Sequence, residues 1–467
     1  MMPRIATRLT PLVIALAMAG CALGPDYVRP AAPLPAAYAE ADQNAEQSLV
    51  NPRWWTLFQD ADLDDLVDQA LKNNADLRQA IARVEQADAV AREAGAALLP
   101  AINGDAGITN SKASTRTSTY VSTMPRIRHS RSAALSTSYE IDIWGRARRT
   151  REASQAALLA SEYSRDAIRL SIAGLVASNY LALRALDAQL AVSSETLASR
   201  EESLKLVRSR NDAGLVSPLD LHQAESSLAA VQAQQADLRR QRALTEHQLA
   251  LIVGQPDLKL APGDVRQLPL PPAPPAGLPA QLVEARPDVR QAEQELVAAN
   301  AGIGVAKAGY FPRFTLTGSL GSESKALGDL FSAGAGTWAL GLGATVPLLD
   351  FGRTTARVDQ AKALTQQSLI GWEQTLQTAY KEVRDALVSL RENGEAETAQ
   401  GKRYVAAKRS LDLANLRYES GYVGYLEVLD AQRSSNDALT ALIATRQARL
   451  ASAVDLFKAL GGGWKPE

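Results

Sequence analysis

Chemistry in a 467-residue chain starts with its histidines, cysteines and paired carboxylates, and here they are few. His129, His222 and His247 stand in no metal-ligand spacing, and none belongs to the H-E-x-x-H helix that holds zinc. Ser322-Glu323-Ser324-Lys325 fits S-x-x-K, but it lies in an expected loop and lacks its partner motifs. There is no G-x-S-x-G elbow, phosphate-cradling glycine loop or dinucleotide fingerprint. Neither enzymatic activity nor nucleotide-driven work is expected, and no cofactor or metal. Two features remain. One is the single cysteine, Cys21, at the end of an apolar run; the other is a set of carboxylates, Asp220, Glu427 and Asp430, just behind glycine turns.

Arg4 and Arg8 precede the apolar segment from Leu12 to Ala19, the pattern of a secretory signal peptide over residues 1–20. Met18-Ala19-Gly20-Cys21 resembles the lipobox of bacterial lipoproteins. That resemblance implies Cys21 as the lipidated mature N-terminus, carrying palmitate, of a segment 21–61; a plain signal with an incidental cysteine is the alternative. Ala22 after the cysteine, where an aspartate would retain enteric lipoproteins inside, implies the outer membrane. No later run reaches the roughly 18 apolar residues of a membrane helix. A net charge of −1 offers no basic surface for nucleic acid.

The carboxylates sit within a repeat. "DLRQA" at 76–80 returns as "DVRQA" at 288–292, and "LLPAI" at 98–102 as "YFPRF" at 310–314, both 212 residues on. "WGR" at 144–146 returns as "FGR" at 351–353, and "RNDAGLVSPLDL" from Arg210 as "RYESGYVGYLEV" from Arg417, both 207 residues on. Gly145 to Gly214 and Gly352 to Gly421 are each 69 residues; Gly214 to Gly254 and Gly421 to Gly461 are each 40. The chain therefore reads as a first repeat, 62–267, of helix, β-hairpin, long helix and helix. A proline-rich linker at 268–279, a second repeat at 280–461 and a tail at 462–467 follow.

Within each repeat the hydrophobic period switches. Ala133, Leu135, Tyr139, Ile141 and Ile143 alternate with Ser132, Ser136, Ser138, Glu140 and Asp142. Phe314, Leu316 and Leu320 alternate with Thr315, Thr317 and Ser319, and Trp338, Leu340, Leu342, Ala344 and Val346 with Thr337, Gly341, Gly343 and Thr345. Residues 102–110 give a weaker strand. Two-faced strands of this length suit a transmembrane β-barrel, lipid outside and water inside; soluble hairpins packed on a core would alternate alike. Closed barrels begin near eight strands, so four strands would have to be completed by other copies. From about Arg148 to Ala213 no proline intervenes and leucines recur every seven residues, predicting a helix of about 100 Å. Asp62 to Leu98 and Leu219 to Val253, predicted helices of about 55 and 50 Å, match it when laid end to end. Pro100 and Pro312 stop helices before strands, and Gly145 and Gly352 permit the return turn.

The combination of "CALGPDYVRP", the duplicated units, "RYESGYVGYLEVLDAQR" and the "ALGGGW" ending resembles the outer membrane factors of tripartite efflux systems. These are the TolC-like proteins, here in their lipidated OprM-like (NodT) drug-efflux branch. The resemblance implies a mixed α and β membrane protein: a homotrimer whose 12-strand outer-membrane β-barrel, four strands from each chain, continues as a 12-helix periplasmic α-barrel of coiled-coil helices. It further implies a passive exit duct, lipid-anchored in the outer membrane and reaching into the periplasm. A periplasmic adaptor (membrane fusion) protein and a proton-driven inner-membrane efflux transporter would deliver drugs or other small toxic compounds. A metal-ion efflux or type I protein secretion system is the alternative setting. By the same resemblance, the turns at Gly214 and Gly421 would fall at the adaptor-facing tip. Leu426 stands where the family places a hydrophobic constriction, Asp430 where it places an acidic ring, Arg433 and Tyr418 at its latches of the closed state, and Asp220 and Glu427 at equivalent acidic positions. Val423 stands where some relatives carry a basic latch.

Plainer roles fit some of these residues too. Ser217-Pro218-Leu219-Asp220 reads as a capping box, Gly424 to Glu427 repeats its acid spacing, and Leu426 suits burial between helices. Asp430 lies one turn further in, beyond capping. Two other functions compete with a duct: a periplasm-spanning coiled-coil lipoprotein, which the strands argue against, and a free-standing porin, which the long helices argue against.

Overall fold

The computed structural model describes residues 22–31, 35, 52–118, 121–272 and 286–463. Cys21, the signal peptide and most of the proline-rich linker lie outside them. The main elements are α1 (Ala61–Asn73), α2 (Ala75–Ala96), β1 (Ala101–Lys112), β2 (Ile127–Ile141), α3 (Arg146–Asp212) and α4 (Pro218–Val253). They continue with α5 (Pro287–Ala308), β3 (Arg313–Ser324), β4 (Gly336–Thr345), α6 (Arg353–Glu419) and α7 (Tyr425–Ala459). The two long helices, α3 and α6, are 67 residues each.

Three expectations are corrected. The first helix is not one rod from 62 to 98 but breaks at Asn74. That side chain donates to the Ile252 carbonyl at 2.8 Å, while its Oδ1 accepts from the N–H groups of Asp76 and Leu77, so it caps α2 instead of continuing α1. Ser322 and Ser324 belong to the end of β3 rather than to a loop. β2 also starts earlier than its alternation suggests, at Ile127, paired with Lys112.

Two compact units share the chain. One takes the N-terminal residues to Pro30, Val84–Ser161 and Ala292–Trp372; the other takes Ala31–Arg83, Glu162–Gln291 and Glu373–Glu467. In the first, four antiparallel strands form one sheet in the order β1-β2-β3-β4. Its register keeps apolar against apolar: Leu135 faces Leu320, Tyr139 faces Leu316, Leu320 faces Trp338 and Leu316 faces Leu342. Trp338, Leu340 and Leu342 are 78%, 73% and 67% exposed, so the central band of one face of the sheet is apolar and exposed. The other face is polar, with Ser136 donating to Asp105 and Ser130 to Glu323 at 2.7 Å.

The same unit holds the segment from Ala22 to Arg29 in a slot. Leu23 N–H donates to the Trp144 carbonyl, Arg149 donates to the Leu23 carbonyl and pairs with Asp26 at 2.6 Å, and Arg29 pairs with Glu293 at 3.1 Å. The slot exists because two glycines meet. A Cβ on Gly304 would lie 2.4 Å from the Leu23 oxygen, and one on Gly24 would lie 2.7 Å from the Gly304 Cα.

The second unit has a conventional core. Trp54 and Phe58, on a 3₁₀ turn over Trp54–Phe58, are fully buried with Leu63, Tyr180, Leu249 and Leu450, and Trp54 stacks on Phe457 at 5.6 Å. Residues 54–58, read from sequence as part of an N-terminal segment, thus pack at the centre of this unit. Part of its buried charge is paired: Asp187 takes Arg242 at 2.7 Å and Arg184 at 3.3 Å, and Arg184 also reaches Asp62.

Candidate functional site

The site residues named from sequence, all but Cys21, lie in the second unit, where each long helix reverses into a shorter one. α3 and α6 end in the same way. Gly214 (φ 70°) and Gly421 (φ 76°) adopt the left-handed conformation that glycine tolerates without Cβ strain. Leu215 N–H then donates to the Arg210 carbonyl at 2.8 Å and Tyr422 N–H to the Arg417 carbonyl at 2.9 Å. The restart differs. Ser217 and Asp220 form a reciprocal capping box at α4, whereas α7 begins at Gly424 without a side-chain cap. Glu427 turns instead to Arg417, with an ion pair of 3.0 Å across the turn.

Below the turn, Tyr418 packs on the buried Tyr425 with ring centroids 5.7 Å apart, and Arg210 lies over the Tyr418 ring at 5.1 Å. Leu426, Asp430 and Arg433 line a groove of about 550 Å³ together with Leu219 and His222 of α4. Leu426 is 55% exposed, which settles its neighbourhood against burial between helices within this chain. Asp430 and Arg433 approach to 4.0 Å, and both side chains are largely exposed. The structure thus brings Leu426, Asp430 and Arg433 to one groove. Asp220 and Glu427 are engaged elsewhere, in the cap and the cross-turn pair.

Sequence reading passed over the ladder that ties α7 to α3. Arg200, almost fully buried, donates to Gln432; Gln432 donates to Ser199 at 3.4 Å, and Asn436 to Thr196 at 3.1 Å. Burial holds the Arg200 guanidinium below the usual arginine range, partly offset by Tyr425, with the nearby Arg433 lowering it further. One signal existed: Gln432 and Asn436 are polar residues one turn apart on a helix, as are Thr196 and Arg200.

Comparison with known proteins decides the family. The family model described as outer membrane efflux protein matches residues 66–255 and 278–462. The chain belongs to the outer membrane efflux protein family. The cation efflux system protein CusC of Escherichia coli O6:H1 is 34% identical, over 98% of this chain and 99% of CusC. The toluene efflux pump outer membrane protein TtgF of Pseudomonas putida is 36% identical, over 97% and 96%. The crystal structure of the Campylobacter jejuni CmeC outer membrane channel superposes with a TM-score of 0.89 at 27% identity, covering 95% of this chain and 96% of CmeC. This outer membrane efflux protein is thus an outer-membrane channel component, made of long helices, one four-stranded sheet per chain and an internal two-fold repeat. Both curated relatives are named as components of efflux systems.

Proposed function

We propose that three copies of this chain form the exit duct of a tripartite efflux pump, passing drugs or other small toxic compounds outward without catalysis of their own. The observation that carries the reading is the sheet: among the described residues it has an exposed apolar band on one face and two edges, β1 and β4, that pair with no further strand. Such edges pair with further strands, and in lipid every backbone polar group must be satisfied by closure. Three four-stranded sheets joined β4 to β1 make twelve strands, with the face bearing Asp105, Glu140 and Glu323 turned to the lumen. Cys21 carries the lipid that anchors each copy. The turns at Gly214 and Gly421 form the periplasmic tip, met by the adaptor protein, with the inner-membrane transporter behind it supplying the energy.

The gate is assigned to Leu426 as the apolar constriction, to Asp430 as an acidic ring, and to Arg433 and Tyr418 as the groups that hold the closed state, with Asp220 and Glu427 fixing the turns. A metal-ion setting stays as the second reading because CusC is named for cation efflux while TtgF is named for toluene efflux. A duct passes what its pump delivers, so cargo follows the partner. Conductance in planar bilayers tests the duct and gate together. The wild type should be nearly closed, and Asp430→Ala should raise its conductance severalfold; a wild type that is open and indifferent to the change would remove the gate.

A further inference from the structure

The strand-to-helix switch carries more positive charge than its helices favour. Helix N-termini repel cations, yet α3 opens with Arg146, Arg148, Arg149 and Arg151, and α6 with Arg353 and Arg357. Some are paired: Arg146 is bidentate on Glu140 at 2.8 Å, and Arg148 meets Asp142 at 3.3 Å while that carboxylate caps Ala147 and Arg148 N–H groups. Asp350, beside Arg353, is committed to the N–H groups of Gly352 and Thr354 at 3.1 and 2.9 Å. Arg357 has no carboxylate within ion-pair distance among the described residues.

Within the first unit, Arg146, Arg313, Arg353 and Arg357 line a single cavity of about 1070 Å³, whose only carboxylates among the described residues are Glu140 and Asp142. Glu140 is shared, since Arg313 also approaches it at 3.7 Å. The same walls are partly apolar: Trp144, tilted at 31° against Phe311 with ring centroids 4.6 Å apart, and Val346 face the space. An excess of guanidinium groups beside aromatic and aliphatic surface selects a ligand with a planar anionic head and an apolar body, because arginine grips carboxylates in a fork while the rings take the body.

We propose that this cavity is a binding station for amphipathic carboxylates, where Arg353 and Arg357 receive the anionic head and the Trp144 and Phe311 pair receives the apolar part. The proposal rests on the exit-duct reading for its place along the cargo path; the pump still sets what is delivered, and anionic amphiphiles are the class this cavity would hold in transit. Arg353 and Arg357 are exposed and form no ion pair among the described residues, so replacing them removes no buried contact.

The test is calorimetric titration of 2-naphthoate into the assembled full-length protein in lipid nanodiscs, beside 2-naphthamide, for the wild type and for Arg353→Gln/Arg357→Gln. Saturable naphthoate binding, weakened about tenfold or more both in the amide and in the double variant, is expected from the loss of a charge-assisted pair. Equal binding of acid and amide, an unaffected double variant, or no saturable binding in the assembled protein would overturn it. Conductance separates this from the duct: pores without naphthoate discrimination remove the station alone, whereas discrimination in a protein that never conducts removes the duct and leaves an anion site.

Discussion

Asp220 shows how one residue answers to two roles at different ranges. Its carboxylate accepts from the Ser217 backbone N–H and hydroxyl, both at 3.2 Å, so a local role is fully accounted for. Ser217→Ala should then cost about 1 kcal/mol of helix-end stability, read as a lowered melting temperature, with conductance unchanged. If Asp220→Ala costs the same and also leaves conductance unchanged, its part in the gate is excluded. The cap was legible from Ser217-Pro218-Leu219-Asp220 because capping is decided within four residues. The Glu427 pair with Arg417 was not, since the acid spacing repeats but the serine does not: Gly424 stands in its place, leaving Glu427 to find a partner across the turn.

Elements were legible wherever their period ran long enough. α3 follows from its leucine heptad and its proline-free run between Gly145 and Gly214, and α6 follows from the repeat, which sets the same interval between Gly352 and Gly421. The break at Asn74 was hidden because its cause, the Ile252 carbonyl, is 178 residues away. The strap from Ala22 to Arg29 was hidden for a similar reason, as the glycine that admits it, Gly304, lies in the second repeat. Gly304→Val should expel the strap, because its side chain would occupy the space of the Leu23 carbonyl. Limited proteolysis should then cut between residues 22 and 30 at least tenfold faster than in the wild type, in protein whose helical content is unchanged. Resistance equal to the wild type would mean that the slot is not needed to hold the segment.

At the scale of the whole molecule, the two faces of the sheet make opposite predictions. Leu340 stands on the apolar face and Thr317 on the polar one, on neighbouring strands at nearly the same level. Leu340→Lys should destabilise the membrane-inserted protein by about 2–4 kcal/mol and shift its unfolding in detergent or lipid, whereas Thr317→Lys should be tolerated. Equal sensitivity would contradict a lipid-facing surface at Leu340. What the sequence by itself determined is whatever is written in local periodicity and duplication: helices and strands, their two faces, the turns at Gly214 and Gly421, and the likeness to outer membrane efflux proteins. Tertiary structure alone decided that β2 pairs with β3 to join both hairpins in one sheet, that Asn74 ends a helix, that Arg200 is buried against Gln432, and that arginines from both repeats line one cavity. Each of these depends on contacts between segments more than a hundred residues apart, where a short window of sequence carries no record of which distant group will arrive.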